Sequence, residues 1–227
     1  MYYAEYASKT RTDILYRVYS WMAGALALTA GVSYAIAHSP IIITLAKNPT
    51  LMWVSFFAQM GLVLYLSWGI RRINYAQAIV AFLLYAALMG VTLSTIFLVY
   101  TEASIFSTFL VAAGMFGLMA IYGYTTRANL ADLGSVLFMA LVGLVLAGIV
   151  NIFLRSPGFD LVVSVLGVIV FSLLTAYDMQ QISQLSNSLL ADKETEGKVA
   201  LLCALSLYLD FINLFLYLLR LMGKRRD

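Results

Sequence analysis

The sequence predicts an all-α membrane protein, a seven-transmembrane-helix bundle, on two observations. The first is composition: 63% of the 227 residues are hydrophobic and 11% are charged. A soluble domain runs at roughly 45–50% apolar and about 25% charged, so lipid is this chain's solvent. The second is segmentation. The apolar residues gather into seven runs, each near the roughly 20 residues that cross a bilayer, and polar breaks separate them. Unpaired backbone cannot face hydrocarbon, so these runs must be helices. Other classes fall away. Cys203 is the one cysteine and His38 the one histidine, which removes a disulfide framework and a Cys/His metal cluster. A net charge of +3, scattered over the loops, offers nothing to nucleic acid. Loops this short leave no room for a second domain, so residues 1–227 read as a single integral membrane domain.

The spans follow in order. The first 13 residues are polar, and the run at about 14–37 is longer than a signal-peptide core and lacks an evident cleavage site, so it reads as a retained span. His38-Ser39-Pro40 and Lys47-Asn48-Pro49 bracket the first loop. The second span, 51–70, stops at Arg71-Arg72-Ile73-Asn74. Thr101-Glu102 separates the third, 76–100, from the fourth, 103–124, which ends before Arg127-Ala128-Asn129. The fifth, 133–154, stops at Arg155-Ser156-Pro157-Gly158. Within it Gly143 and Ala147 have the spacing that lets helices approach closely, or simply reflect how common small residues are in membrane helices. The sixth covers 160–182 and the seventh 199–222, joined by the polar stretch 192–198.

Orientation follows the Lys/Arg bias. With the amino terminus inside, eight basic residues (Lys9, Arg11, Arg17, Arg71, Arg72, Arg127, Lys193, Lys198) lie on the inner side and five (Lys47, Arg155, Lys224, Arg225, Arg226) on the outer. The basic tail counts against this choice, and would not if the last segment stopped short of crossing.

Two acids stand out. Of the 11 acidic residues, only Asp178 and Asp210 fall well inside apolar runs. At about 100° per residue, Ser206, Asp210, Asn213, Tyr217 and Arg220 share one narrow face of the last helix. Ser164, Ser172, Thr175 and Asp178 occupy about a third of the circumference of the helix before it. Polar groups in a span turn toward protein or a water-filled cavity, so placing these faces together gives a buried Asp178–Asp210 pair.

Two carboxylates in a low dielectric cannot both ionise cheaply, so they hold a proton between them and titrate as a unit. Unprotonated, the pair offers hard oxygen ligands to Ca2+, held transiently. An arginine within reach would lock one carboxylate, and Arg71 and Arg72 are the candidates; a topology-setting basic cap is their other reading. Likewise Asp178 stands near enough to its span end to reach interfacial water, and Asp210 has a purely structural hydrogen-bonding alternative. As the spans are drawn, the acids differ in depth by on the order of 10 Å at ~1.5 Å per residue.

Phe171-Ser-Leu-Leu-Thr-Ala-Tyr-Asp178 and Ala204-Leu-Ser-Leu-Tyr-Leu-Asp210-Phe-Ile-Asn-Leu-Phe215 resemble the sixth- and seventh-helix signatures of the Bax inhibitor-1 family, the transmembrane Bax inhibitor motif proteins. Ala112-Ala-Gly-Met-Phe-Gly117 with Tyr122-Gly-Tyr-Thr-Thr126 is similar to the fourth helix and loop of its bacterial inner-membrane members. The resemblance runs over nearly the whole chain. It implies a last helix central to the other six and a pH-sensitive di-aspartyl unit mapping to Asp178 and Asp210. It also implies an arginine latch at Arg71 or Arg72 and a Ca2+ leak through the bundle. No cofactor is implied, Ca2+ being the permeant ion. The partners expected are the lipid bilayer, Ca2+ and protons, with membrane proteins as further partners. The implied location is the bacterial inner membrane, amino terminus cytoplasmic.

The rivals are an intramembrane aspartyl-type protease and a protein-binding regulator of membrane proteases or assemblies without transport. Tyr177-Asp178 suits the protease, but Leu207-Tyr208-Leu209 supplies no glycine before Asp210, so the expectation is that the chain is not an enzyme. A retinal photoreceptor needs a lysine within a span, and Lys9, Lys47, Lys193, Lys198 and Lys224 all lie outside the spans as drawn.

Overall fold

The computed structural model describes residues 2–70, 72–188 and 192–226, with side chains over 13–70, 72–185 and 192–226. The helices are α1 (Tyr2–Ala37), α2 (Ile41–Lys47), α3 (Pro49–Gly69), α4 (Tyr75–Leu93), α5 (Ile96–Val99), α6 (Glu102–Thr125), α7 (Gly134–Leu154), α8 (Pro157–Ser188) and α9 (Lys193–Met222), with a 3-10 turn at Leu130–Leu133. Seven stretches are long and apolar enough to cross a membrane, so this is an all-α membrane protein.

Several boundaries differ from the sequence expectation, each for a local reason. The first helix does not wait for the apolar run but starts at Tyr2. The first loop holds its own short helix, α2, and Pro49 opens α3 at a position where its missing N–H costs nothing. The third span is not continuous. Ser94 Oγ donates to Val91 O (2.7 Å) and Thr95 Oγ1 to Thr92 O (2.8 Å), and this side-chain competition for backbone carbonyls interrupts the ladder between α4 and α5. Asn74 and Gln77 form a reciprocal capping box that starts α4. Pro157 and Gly158, expected as breakers, instead begin α8; the break is made by Arg155, in the left-handed region at φ 48°. The last helix begins at Lys193, so Lys193 and Lys198 join its first turns, where Lys198 pairs with Glu194 at 2.9 Å.

Contacts divide the chain into two compact units: 1–100 with 186–208 and 226–227, and 101–185 with 209–225. In the first unit α4 packs on α1 at Gly90, where a Cβ would stand 2.7 Å from Thr29 O and 2.8 Å from Val32 Cβ. Thr29 Oγ1 donates its one proton to Ala86 O (2.8 Å), so the 2.7 Å bond to Tyr208 must be donated by the phenol. Tyr208, fully buried, meets Phe82 and Tyr85 edge-on. Between α3 and α4, Gln59 Nε2 donates to Ser55 Oγ, Leu88 O and Thr92 Oγ1 at 3.0, 3.2 and 2.7 Å.

In the second unit α6 meets α8 so closely at Gly123 that a Cβ there would run into the backbone of Ala176. Phe109 and Phe116 pack edge-on against Phe211 of α9. Gln180 of α8 ties down the turn before α7, accepting from Leu130 N and donating to Ala128 O, both at 2.8 Å. Among the described glycines, the ones where a Cβ would meet another helix's backbone are thus Gly90 and Gly123. Gly143 is not one of them: it is exposed, and nothing beyond its own helix lies within 4 Å of a Cβ placed there. A lipid-facing site needs no small residue.

Burial is uneven among the spans. In the best apolar window of α9 61% of residues are buried, against 11% for the span Leu130–Leu154. The last helix has an interior position; the fifth span faces lipid round most of its circumference.

Candidate functional site

The site grows from the way α8 and the second half of α9 run past each other. Tyr217 of α9 stacks on Phe171 of α8 (ring centroids 5.8 Å, interplanar angle 26°). Its ring also fills the notch at Gly167, where a Cβ would stand 2.5 Å from Tyr217 Cγ. Two turns inward from this contact, seven residues along each helix in opposite directions, stand Asp178 and Asp210. The antiparallel register puts the two acids within about one turn (5.4 Å) of the same level. The 10 Å offset expected from the sequence does not arise, because α9 is set by the Tyr217 contact rather than by where its apolar run begins. Asp178 lies close enough for its charge to act on Asp210.

Asp210 is 6% exposed, and its Oδ2 is buried with no hydrogen-bond partner. Removal of a carboxylate from water without donors is costly, so this is the most demanding polar group in the core. Asp178 is half-buried.

The other predicted stripe residues divide by what they touch. Thr175, fully buried, donates to Phe171 O at 2.8 Å and Asn213 Nδ2 to Leu209 O at 2.8 Å, so both are satisfied by their own helix. Ser172 and Ser164 are buried and their hydroxyls have no partner. Ser206 is half-buried one turn before Asp210. Arg220 is exposed at the end of α9, with its guanidinium 5.3 Å from the Tyr217 ring centre and 3.8 Å from Asp160 Oδ1. Arg72 is exposed after α3; Arg71 lies outside the described residues.

Three contributors escaped sequence reading. Asp160, at the start of α8, pairs with Arg220 and accepts from Asn151 Nδ2 at 3.2 Å. Gly167 receives Tyr217. Thr108 on α6 is fully buried with an unpartnered hydroxyl. The signal was there for Asp160 alone: it stands one turn before Ser164 on the same face. Among the described residues no three His, Cys, Asp or Glu side chains cluster as a metal site, so a cation at the acids would be held by two carboxylates and its own hydration.

Comparison with known proteins gives the family. The family model described as "Inhibitor of apoptosis-promoting Bax1" matches residues 11–227. The chain belongs to this Bax inhibitor-1 family. Among its relatives, the inner membrane protein YbhL of Escherichia coli K12 is 47% identical over 212 residues, covering 92% of this chain and 91% of that protein. An uncharacterized protein of Borreliella burgdorferi is 42% identical over 218 residues, covering 96% and 94%. The uncharacterized protein RP147 of Rickettsia prowazekii is 39% identical over 211 residues, covering 93% and 89%. The Bax inhibitor-1 match takes in every span described above, the α8–α9 contact included.

Proposed function

We propose that this Bax inhibitor-1 protein is a proton-gated cation leak, with Ca2+ as permeant ion and Asp178 and Asp210 as its gate. The observation that carries the reading is Asp210 itself: a carboxylate 6% exposed, with an unpartnered oxygen and a second carboxylate acting on it. A buried acid with so few partners is stable only when neutral or when it meets a cation. Protonated, the pair shares a hydrogen and closes the path. Deprotonated, it is a doubly charged oxygen site that attracts divalent cations. The bilayer is the working environment; by analogy with YbhL it is the bacterial inner membrane, and the Lys/Arg bias puts the amino terminus in the cytoplasm.

The sign of the pH response follows. Below the titration range the pair holds its shared proton and flux is low; as pH rises it loses that proton and flux increases. Ca2+ flux from protein-loaded liposomes between about pH 6 and pH 8, where a buried pair can titrate, is expected to rise with pH. Asp210→Asn should abolish the response. A flux indifferent to pH in the native protein, or an unaltered response in the variant, overturns the reading.

A further inference from the structure

Six buried side-chain atoms have no hydrogen-bond partner among the described residues: Ser33 Oγ, Thr108 Oγ1, Asn151 Oδ1, Ser164 Oγ, Ser172 Oγ and Asp210 Oδ2. All but Ser33 belong to the second unit, where α6, α7, α8 and α9 each contribute at least one. Such clustering needs a cause. Helical serines and threonines have an easy remedy, a bond to the carbonyl one turn back, and Thr175 takes it at 2.8 Å. Thr108, Ser164 and Ser172 do not, although they are 0%, 1% and 7% exposed. In hydrocarbon an orphaned polar group has no recourse to solvent, so hydroxyls left in this state face something polar.

Their chemistry says what. Each of these atoms is an oxygen: the hydroxyls donate or accept, the Asn151 amide oxygen accepts, and the Asp210 carboxyl accepts when ionised. Oxygen groups of this kind hydrogen-bond water and suit hard cations. Their placement along α8 and α9 is graded. At one end Asp160 meets Arg220 and Asn151. One turn inward is Ser164, further in is Ser172, and then Asp210. Along α8, Gly167 and Phe171 fall between the two serines, and the Tyr217 ring is lodged at the first, stacked on the second and covered by the Arg220 guanidinium.

We propose that the seam between α8 and the second half of α9 admits water and hydrated cations from its Asp160–Arg220 end as far as Asp210, with the Tyr217 ring as its constriction. The cargo rests on the leak function proposed above; the hydration of the seam does not.

The test is thiol accessibility in the full-length protein reconstituted in liposomes, in a Cys203→Ser background, with a cationic, membrane-impermeant methanethiosulfonate reagent on both sides. Ser164→Cys and Ser172→Cys are near-isosteric. Ile169→Cys and Leu173→Cys are the lipid-side controls, since Ile169 and Leu173 are 50% and 37% exposed on the apolar face of the same helix. Because only a hydrated thiol ionises and reacts, the serine positions should be modified about tenfold or more faster than the controls. Tyr217→Ala should speed modification at position 172, beyond the ring, and leave position 164, before it, unchanged. Serine positions as slow as the controls, or a rate at 172 indifferent to Tyr217, overturn the proposal. Labelling without pH-dependent flux removes the leak and keeps the hydrated seam; flux without labelling does the reverse.

Discussion

Thr29 and Ser172 are both buried hydroxyls on apolar helices, and the chain treats them differently. Thr29 sits at the centre of a closed set, giving its proton to Ala86 O and taking one from Tyr208. Nearby, Gln59 closes a second set with Ser55, Thr92 and Leu88 O. Ser172 has no partner, nor do Ser164, Thr108 and the Asp210 Oδ2 atom of the same unit. In the first unit Thr29 and Gln59 join helices and only Ser33 Oγ is left without a partner among the described residues; in the second unit five such atoms are left. A polar residue in a membrane helix is therefore not a functional signal by itself. What marks function is polarity the protein does not satisfy internally.

That contrast can be broken at several points. The largest effect is expected in the first unit, where Tyr208→Ala opens a cavity amid Phe82, Tyr85 and Thr29. Removing a fully buried aromatic side chain should cost about 3–5 kcal/mol, read as loss of folded protein in detergent denaturation. Gly123→Val comes next. Its Cβ would collide with the Ala176 backbone rather than a movable side chain, and such overpacking costs about 1–3 kcal/mol on the same assay. A matched pair then sharpens the comparison. Tyr208→Phe removes a satisfied bond and should destabilise by about 0.6 kcal/mol, at most about 1.7. Ser172→Ala removes none and should stay within about 0.5 kcal/mol of native. Equal losses for the two would erase the distinction between the units.

The smallest effect is local. Asp192 caps α9, its Oδ2 accepting from Thr195 N at 3.4 Å and its backbone carbonyl from Glu196 N at 3.0 Å. A hydrogen bond from the Thr195 side chain holds the exposed Asp192 carboxyl below the usual carboxylate range. Its support for the helix start is therefore complete above the ordinary carboxylate pKa and disappears as pH falls through the lowered value. Asp192→Ala should speed amide exchange over residues 193–196 and leave the remainder of the chain alone.

Much of this was legible in the sequence. Seven apolar runs and their polar breaks gave the spans, because hydrocarbon permits only helices of that length. Their isolation inside apolar runs singled out Asp178 and Asp210 as candidates, and the structure buries Asp210. What stayed hidden depended on contacts between helices. The offset of on the order of 10 Å expected between the acids falls to about one turn because Tyr217 lodges at Gly167, a register that no single helix encodes. Nor does periodicity separate Thr175, whose hydroxyl bonds to its own helix, from Ser172, whose hydroxyl does not: both are small polar residues on one face. Asp160 stands at a span end, where acids are cheap to keep in water, so its pairing with Arg220 has no mark in the sequence.

Proton gating requires that the two core acids hold one proton between them near neutral pH. Infrared difference spectroscopy of the reconstituted protein reads this directly, as the carbonyl stretch of a protonated carboxylic acid. The expected result is such a band at mildly acidic pH that fades as pH rises through neutrality and is absent from Asp210→Asn. A native protein with no protonated acid band in that range, or one whose band survives in Asp210→Asn unchanged, would contradict it.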